Sequence, residues 1–389
     1  MKILVLSFYF EPDLCAGSFR TTALVEKLSQ QPGVEIEVIT TLPNRYASFS
    51  AEALVHEQRE NTTIHRIELP SHQSGMVDQA KTFFSYHQQV MKIVNSQSYD
   101  MVYATSSRLF TALLGARIAR KKKLPLYLDI RDIFVDTIGD VFSKKITWLL
   151  KPIFSFIESY AFSTASRINL VSEGFKGYFE SRYPDIEYRW FTNGIDEEFL
   201  TPLKVNVNRK SEIIKILYAG NIGEGQGLHE ILPKLSTALQ GKAEITIIGD
   251  GGRKALLEGR LLGSTNVMFL PPVGRNELIE LYKNADILFL HLNDYPAFEK
   301  VLPSKIFEYS ALGKPILAGV SGYAAKFLSE EVGNSATFYP GDSKGALNAL
   351  STLDLNDLDR TSFKSKFSRS EIMKNMAVDI VEFVSNDGR

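Results

Sequence analysis

The sequence predicts an α/β protein built from two doubly wound, mostly parallel-sheet domains. Three observations predict it. Short β-rich runs alternate with amphipathic helical stretches from end to end, the signature of βαβ units. The strand series breaks at a polar segment near the middle and then restarts. With 389 residues, the chain is also long for a single hydrophobic core.

In the first half, the predicted strands are Lys2–Ser7, Glu35–Thr40, Ile64–Leu69, Met101–Ala104, Leu126–Asp129, Arg167–Val171 and Tyr188–Thr192. Each is a run rich in β-branched and aromatic residues, bounded by turn formers. Thr201–Ser211 is polar, lacks helical periodicity and reads as the linker. Beyond it the predicted strands are Ile213–Ala219, Glu244–Ile248, Val267–Leu270, Ile287–Leu290, Ile316–Ala318 and Ala336–Tyr339. Phe363–Val384 reads as a helical tail, giving domains over 1–196 and 197–362 and a terminal segment over 363–389.

Composition excludes several functions. A formal net charge of -1 argues against nucleic-acid binding by bulk electrostatics. Cys15 is the single cysteine, which rules out an intrachain disulfide, and the six histidines are scattered without a metal-ligand spacing. Asp357-Leu358-Asp359 is the one Asp-x-Asp, far from the other motifs, so no metal is expected. No run approaches the roughly 20 apolar residues of a membrane span, and no signal peptide is read at Met1, so a cytoplasmic protein is expected.

The most informative stretch is Leu302-Pro303-Ser304-Lys305-Ile306-Phe307-Glu308-Tyr309-Ser310-Ala311-Leu312-Gly313-Lys314-Pro315-Ile316. Pro303 suits a first helical turn, Ser304 is the expected N-cap, and Gly313 the left-handed residue that closes the helix. The helix start then offers amides, the Ser304 hydroxyl and the Lys305 ammonium to a phosphate. Glu308 shares a face with Lys305 and is placed to accept both hydroxyls of a ribose. A solvated Lys–Glu pair is the alternative on spacing alone.

This string resembles the C-terminal donor motif of family 4 glycosyltransferases, in the bacterial branch that writes it P-S-K-x-F-E-Y-x-A-x-G-K-P-I. The resemblance covers nearly the whole chain and is strongest from Tyr218 to Pro315. It implies the GT-B fold, two Rossmann-like domains facing a cleft with the last helix crossing back onto the N-terminal domain. It also implies retaining transfer of a sugar from a nucleotide-diphosphate donor. A UDP-sugar, N-acetylated or deoxy, is expected, with a glycan or lipid-linked acceptor of bacterial surface polysaccharide synthesis and no metal cofactor. A nucleotide-sugar epimerase of the same fold and a non-catalytic nucleotide-sugar-binding protein are the alternatives.

The same resemblance assigns further residues. Gly220, Asn221, Gly223 and Gln226 form the first loop of the second domain; many family members carry Arg and Lys where Asn221 and Gln226 stand, so Lys305 is expected to supply more of the diphosphate grip. Gly249, Asp250 and Gly251 match an I-G-D-G element lining the nucleotide pocket, and Pro272 and Val273 a loop that reads the base through backbone groups. Arg275 is read as a surface residue. Phe298 lies before the motif, where the family's first glutamate position is Lys300, with Glu299 beside it. In the first domain, Gly17, Ser18 and Arg20 resemble the N-terminal glycine loop that approaches the donor, although Arg20 also fits a helix-surface charge. Arg131 and Asp132 stand where many members have His-Asp beside the transferred sugar; a buried ion-pair network is the alternative. Asn193-Gly194-Ile195-Asp196 matches the hinge element. The catalytic candidates are thus Arg131, Asp132, Lys305 and Glu308, and the remaining residues are donor-binding candidates.

Val141–Phe162 has its polar residues on one narrow stripe, with Pro152 expected to split or kink it. Burial against the sheet is one reading; a peripheral face toward anionic lipid, helped by Arg120-Lys121-Lys122-Lys123, is the other.

Overall fold

The computed structural model describes residues 1–43, 52–69, 76–106, 109–136, 144–200 and 212–387. The chain divides into two compact units, Met1–Asn193 with Arg369–Arg389, and Gly194–Ser368. The expected linker, Thr201–Ser211, lies outside the described residues.

The strands are β1 (Lys2–Leu6), β2 (Glu35–Thr41), β3 (His56–Arg59), β4 (Thr62–Ile67), β5 (Met101–Thr105), β6 (Leu126–Ile130), β7 (Arg167–Leu170) and β8 (Glu187–Arg189) in the first unit. They form one sheet in the order β3-β4-β2-β1-β5-β6-β7-β8. All pairs are parallel except β3–β4. The parallel strands are legible because both their faces are covered: Ile3, Leu4, Val5 and Leu6 have no exposed surface. β3, His-Glu-Gln-Arg, was not expected; it is an exposed polar edge strand with no apolar signature.

The helix Ala16–Ser29 packs on this sheet beside the terminal helix Arg369–Asp387. Met373, Met376, Ala377, Ile380 and Phe383 join Ile3, Val5, Leu24, Tyr103 and Tyr127 in one buried cluster. Asp379 fastens that helix further, accepting from Arg167 at 2.9 Å, Arg189 at 2.7 Å and the Tyr127 hydroxyl at 3.0 Å.

The second unit holds β9 (Ile214–Ala219), β10 (Ala243–Ile248), β11 (Val267–Leu270), β12 (Ile287–His291), β13 (Ile316–Gly319) and β14 (Ser335–Phe338). They form an all-parallel sheet in the order β11-β10-β9-β12-β13-β14. The order reverses between β9 and β12, and ligands of such sheets bind outside the carboxyl ends of the strands at that point.

Three local expectations are corrected. The tail is two helices, Thr361–Lys366 and Arg369–Asp387, because Ile195 N–H donates to Phe367 O at 2.7 Å and Ser368 bridges Ile195. Phe363 and Phe367 pack into the second unit's core with Phe307 and Phe327, which carries that unit to Ser368 rather than 362. Pro152 does not split its stretch into two helices: it lies within one helix, Lys144–Thr164, on the exposed side, and residues 141–143 of the stretch lie outside the described residues. Among the described residues, no helix is long and apolar enough to cross a membrane.

Candidate functional site

The site in the second unit is assembled at the ends of β9, β10 and β12. β9 runs into Gly220, whose φ of +140° lies where side chains are rarely tolerated. A Cβ on Gly220 would collide with the Lys305 ammonium, so that cation rests directly on the backbone at the strand end. Gly249, φ +141°, closes the next turn so tightly that its Cβ would meet the Gly220 carbonyl. Gly220 N–H donates to Ile248 O at 2.8 Å, and Ile222 N–H to Asp250 O at 2.8 Å. The two loops are thereby one backbone-knit platform, with Gly251 against Ile222 and the Asp250 carboxylate turned back on the Gly251 amide at 2.8 Å.

Lys305 opens the helix Lys305–Ala311, which Gly313 closes at φ +72° as expected. Ser304 does not cap it. Its φ of -59° and ψ of -26° are already helical and its side chain makes no capping bond, so the helix is launched from Pro303, whose carbonyl accepts from Ile306 N–H at 3.1 Å. With only seven helical residues, the cation rather than the helix dipole is the charge presented there.

The Lys305 ammonium lies 5.8 Å from the Tyr218 ring centroid and, among the described residues, has no carboxylate within 4 Å. Burial pushes its pKa below the ordinary lysine value, with Glu308 one turn on partly opposing. Tyr218 in turn donates its hydroxyl to Asn221 O at 2.6 Å. The Tyr309 hydroxyl, on the same short helix, accepts from Ala219 N–H at 3.3 Å and ties helix to strand.

Asn221 and Gln226, the neutral residues where charges were expected from the resemblance, brace each other. Asn221 Nδ2 donates to Gln226 Oε1 at 2.8 Å, and the same oxygen accepts from Gly223 N–H at 3.3 Å. A second brace comes from the loop after β12. Asn293 N–H donates to Gly225 O at 2.8 Å, and the tip of the Phe298 ring lies so close to Gly225 that a Cβ there would sit 3.0 Å from it. Glu299 is exposed at this turn. Pro272 and Val273 follow β11, with Val273 packed on the core.

One residue here was not read from the sequence, and another was read differently. His291, at the end of β12, is buried with Nδ1 2.7 Å from Gln226 O and Nε2 accepting from Gly341 N–H at 3.0 Å. That pair of bonds fixes a neutral ring protonated on Nδ1. Burial lowers its pKa to about 4, the Gln226 bond opposing and His229 adding to the fall. Its position at a strand end beside the topological switch point was the available signal. Arg275 is no loose surface charge. It bonds Asp196, reaches Glu198 at 3.3 Å and lies 5.2 Å from the Phe199 ring, anchoring Asp196–Phe199 to the helix Arg275–Asn284. Asp357 and Asp359 serve structure: one pairs with Lys314 at 3.0 Å, the other caps Thr361.

In the first unit, Gly17 and Ser18 lie buried in the first turn of the helix Ala16–Ser29, and among the described residues the Ser18 hydroxyl has no hydrogen-bond partner. Arg20, expected at the donor, is fully buried and its donors are spent. Nε and Nη2 fork onto Asp129 at 2.7 and 3.0 Å, while Nη1 and Nη2 reach the carbonyls of Thr192 and Phe191 at 2.6 and 2.8 Å. Asn169 completes the knot, donating to Asp129 at 2.7 Å. Burial alone would raise the Asp129 carboxyl, but Arg20 overrides it and holds it below the ordinary value.

Arg131 is different. Its backbone N–H donates to the Ser106 hydroxyl at 2.9 Å and Nη2 makes a long 3.4 Å contact with Asn193. Nη1 is buried with no partner among the described residues. Burial and the Arg20 cation lower its pKa, with Asp129 and Asp132 opposing. Asp132 is exposed beside it.

Residues 202–366 match the family described as glycosyl transferases group 1. A protein of Escherichia coli (strain K12), provisionally named as the colanic acid biosynthesis glycosyl transferase WcaI, is 32% identical over 128 residues; this match spans 32% of the chain and 30% of that relative. Similar solved structures include sucrose-phosphate synthase from Thermosynechococcus elongatus, TM-score 0.75 at 13% identity, covering 99% of this chain and 100% of that one. Another is α,α-trehalose 6-phosphate synthase from Burkholderia multivorans, TM-score 0.69 at 12% identity, covering 100% and 97%. A third is Anabaena HepE in complex with UDP and glucose, TM-score 0.68 at 15% identity, covering 98% and 99%. Likeness of this extent gives the fold, the GT-B architecture expected from the sequence.

Proposed function

We propose that this chain, whose residues 202–366 match the glycosyl transferases group 1 family, moves a sugar from a nucleotide-diphosphate donor to a glycan or lipid-linked acceptor. The observation that carries the reading is the Lys305 ammonium, held against Gly220 with no counter-ion within 4 Å among the described residues. A partly desolvated cation without an anion is costly, and a bound diphosphate removes that cost. Glu308 stands one turn on to take the ribose hydroxyls.

In the reaction the bond from the sugar's anomeric carbon to the diphosphate oxygen breaks, and a bond from the acceptor hydroxyl oxygen forms. The hydroxyl proton passes to the departing phosphate. Negative charge grows on the diphosphate in the transition state, and a cation already fixed beside it stabilises that charge without reorganisation. Arg131, with its spare Nη1 edge, and Asp132 are assigned to orienting the sugar. UDP is the proposed nucleotide, supported by the UDP bound to Anabaena HepE, with an N-acetylated or deoxy sugar. The Escherichia coli relative supports a role in bacterial surface polysaccharide synthesis. Retention at the anomeric carbon rests on the family resemblance, and the reading requires no metal.

Thermal-shift screening with UDP, GDP, ADP and dTDP identifies the base, since a ligand of the folded state stabilises it by mass action. Transfer is then assayed with the matching sugar nucleotides, and the product anomer read by NMR. Lys305→Ala and Glu308→Ala should stay folded and each lose about 100-fold or more in kcat/KM. Full activity in both refutes the residue assignment. Interconversion of the donor with no acceptor present assigns an epimerase instead.

A further inference from the structure

We propose that the exposed face of the helix Lys144–Thr164, together with Arg120 and Lys123 of the neighbouring segment, is a docking surface for an anionic lipid bilayer. The proposal stands on this face alone and does not depend on the sugar-transfer reading.

The helix is not wholly buried. Ala161 and Phe162 are turned into the first unit, and Phe154 packs on Phe110 with ring centroids 5.8 Å apart. The opposite side leaves Trp148 81%, Phe156 73% and Ile153 53% exposed. Trp148, Pro152 and Phe156 recur every four residues, so they share one side of the helix. Exposed aromatics in helical register are the groups that seat at the boundary between headgroups and acyl chains.

The two helices that carry the neighbouring cations hold one acid between them. The helix Lys144–Thr164 has a single acid, Glu158, which is buried and bonded to the Tyr178 hydroxyl, and the helix Leu109–Lys122 has none. Lys121 and Lys122 are occupied with Asn95 and the Gln97 carbonyl at 2.9 and 2.6 Å. Among the described residues, none of Arg120, Lys123 and Lys151 lies within 4 Å of a carboxylate. Arg120 and Lys123 line an open groove of about 460 Å³ with Phe156, Ser159, Tyr160 and Ser163, and the Arg120 guanidinium lies 5.0 Å from the Tyr160 ring centroid. Lys151 stands beside Trp148 along a second shallow groove.

This arrangement offers cations to phosphate headgroups and aromatic rings to the layer beneath. The chain as a whole has a net charge of -1, so the patch is a local segregation of charge and not a reflection of a basic protein. A second copy is the less favoured occupant. A two-fold pairing of this face would set the cations of one molecule against those of the other, with no exposed acid on either helix to receive them.

The test uses the full chain with vesicles of phosphatidylcholine alone and with about 30% phosphatidylglycerol. Co-sedimentation should occur with the anionic vesicles and weaken about tenfold or more when salt rises from about 0.1 to about 0.5 M. The two tryptophans are Trp148 and Trp190, so in a Trp190→Phe background the emission should shift to the blue on binding. Trp148→Ala/Phe156→Ala and Arg120→Glu/Lys123→Glu should each lower vesicle affinity about tenfold or more with thermal unfolding unchanged. Equal binding to both vesicle types, undiminished binding by both double variants, or no binding at all overturns the proposal. So does a concentration-dependent doubling of mass by light scattering that the Trp148→Ala/Phe156→Ala change abolishes, which would assign the face to a second copy.

Discussion

Acidification should loosen the second unit through one side chain, His291. The neutral ring links two segments, donating to Gln226 O and accepting from Gly341 N–H, and protonation removes the acceptor. Because burial holds the folded value near 4 against an ordinary 6.5, the unfolded chain binds the proton more readily across that window. Stability from this group is therefore complete above about pH 6.5 and is lost as pH falls toward 4. The gap corresponds to about 3 kcal/mol in all, of which about 2 kcal/mol should disappear between about pH 7 and pH 4.5. Other carboxylates titrate there too, so the measurement is a comparison with His291→Phe. Phenylalanine keeps the ring between Phe289 and Phe338, whose centroids lie 6.2 and 5.9 Å from that of His291, but cannot titrate. It leaves Gln226 O and Gly341 N–H unpaired, so the variant should start about 1–3 kcal/mol less stable at neutral pH and fall less steeply. Both tryptophans lie in the first unit, so the readout is hydrogen exchange of peptides covering 226 and 341. Parallel pH slopes in the two proteins, or protection that grows in wild type on acidification, would refute the reasoning.

Gly220→Ala should weaken UDP binding about tenfold or more by displacing the Lys305 ammonium, and the φ of +140° adds about 1–3 kcal/mol of destabilisation. Calorimetric titration with UDP measures the first and urea unfolding followed by hydrogen exchange the second; unchanged UDP affinity would separate Lys305 from the nucleotide. Asp129→Asn leaves the Arg20 guanidinium buried without its counter-ion and should cost the first unit about 3–5 kcal/mol, visible as a lower midpoint in tryptophan-monitored unfolding. A midpoint within experimental scatter of wild type would show that the Thr192 and Phe191 carbonyls suffice.

What could be read in advance followed from periodicity and burial. Apolar runs such as Ile3-Leu4-Val5-Leu6 declare a parallel strand because both faces are covered, and the Pro303–Gly313 helix carries its own start and stop. Long-range partnerships left no local trace. Arg20 resembles any helix charge until the fold brings Asp129, 109 positions away, onto it. His291 is a lone histidine until Gln226 and Gly341 arrive from separate loops. Ser304 was misread because a serine before a helical run is a frequent cap, whereas here the backbone is already helical at that residue. Of the split or kink expected at Pro152 the split does not occur, in a helix that Phe154, Ala161 and Phe162 pack against the first unit.

The return of the terminal helix sets an order on synthesis. Ile3, Val5, Tyr103 and Tyr127 are made before the second unit, yet Met373, Met376, Ile380 and Phe383, which complete their cluster, are made only after it. The second unit is contiguous and can close while the first still presents an uncovered apolar flank. The unit begun before the second is therefore completed after it, and a nascent chain halted short of Arg369 would expose a greasy seam to chaperones however well the rest had folded.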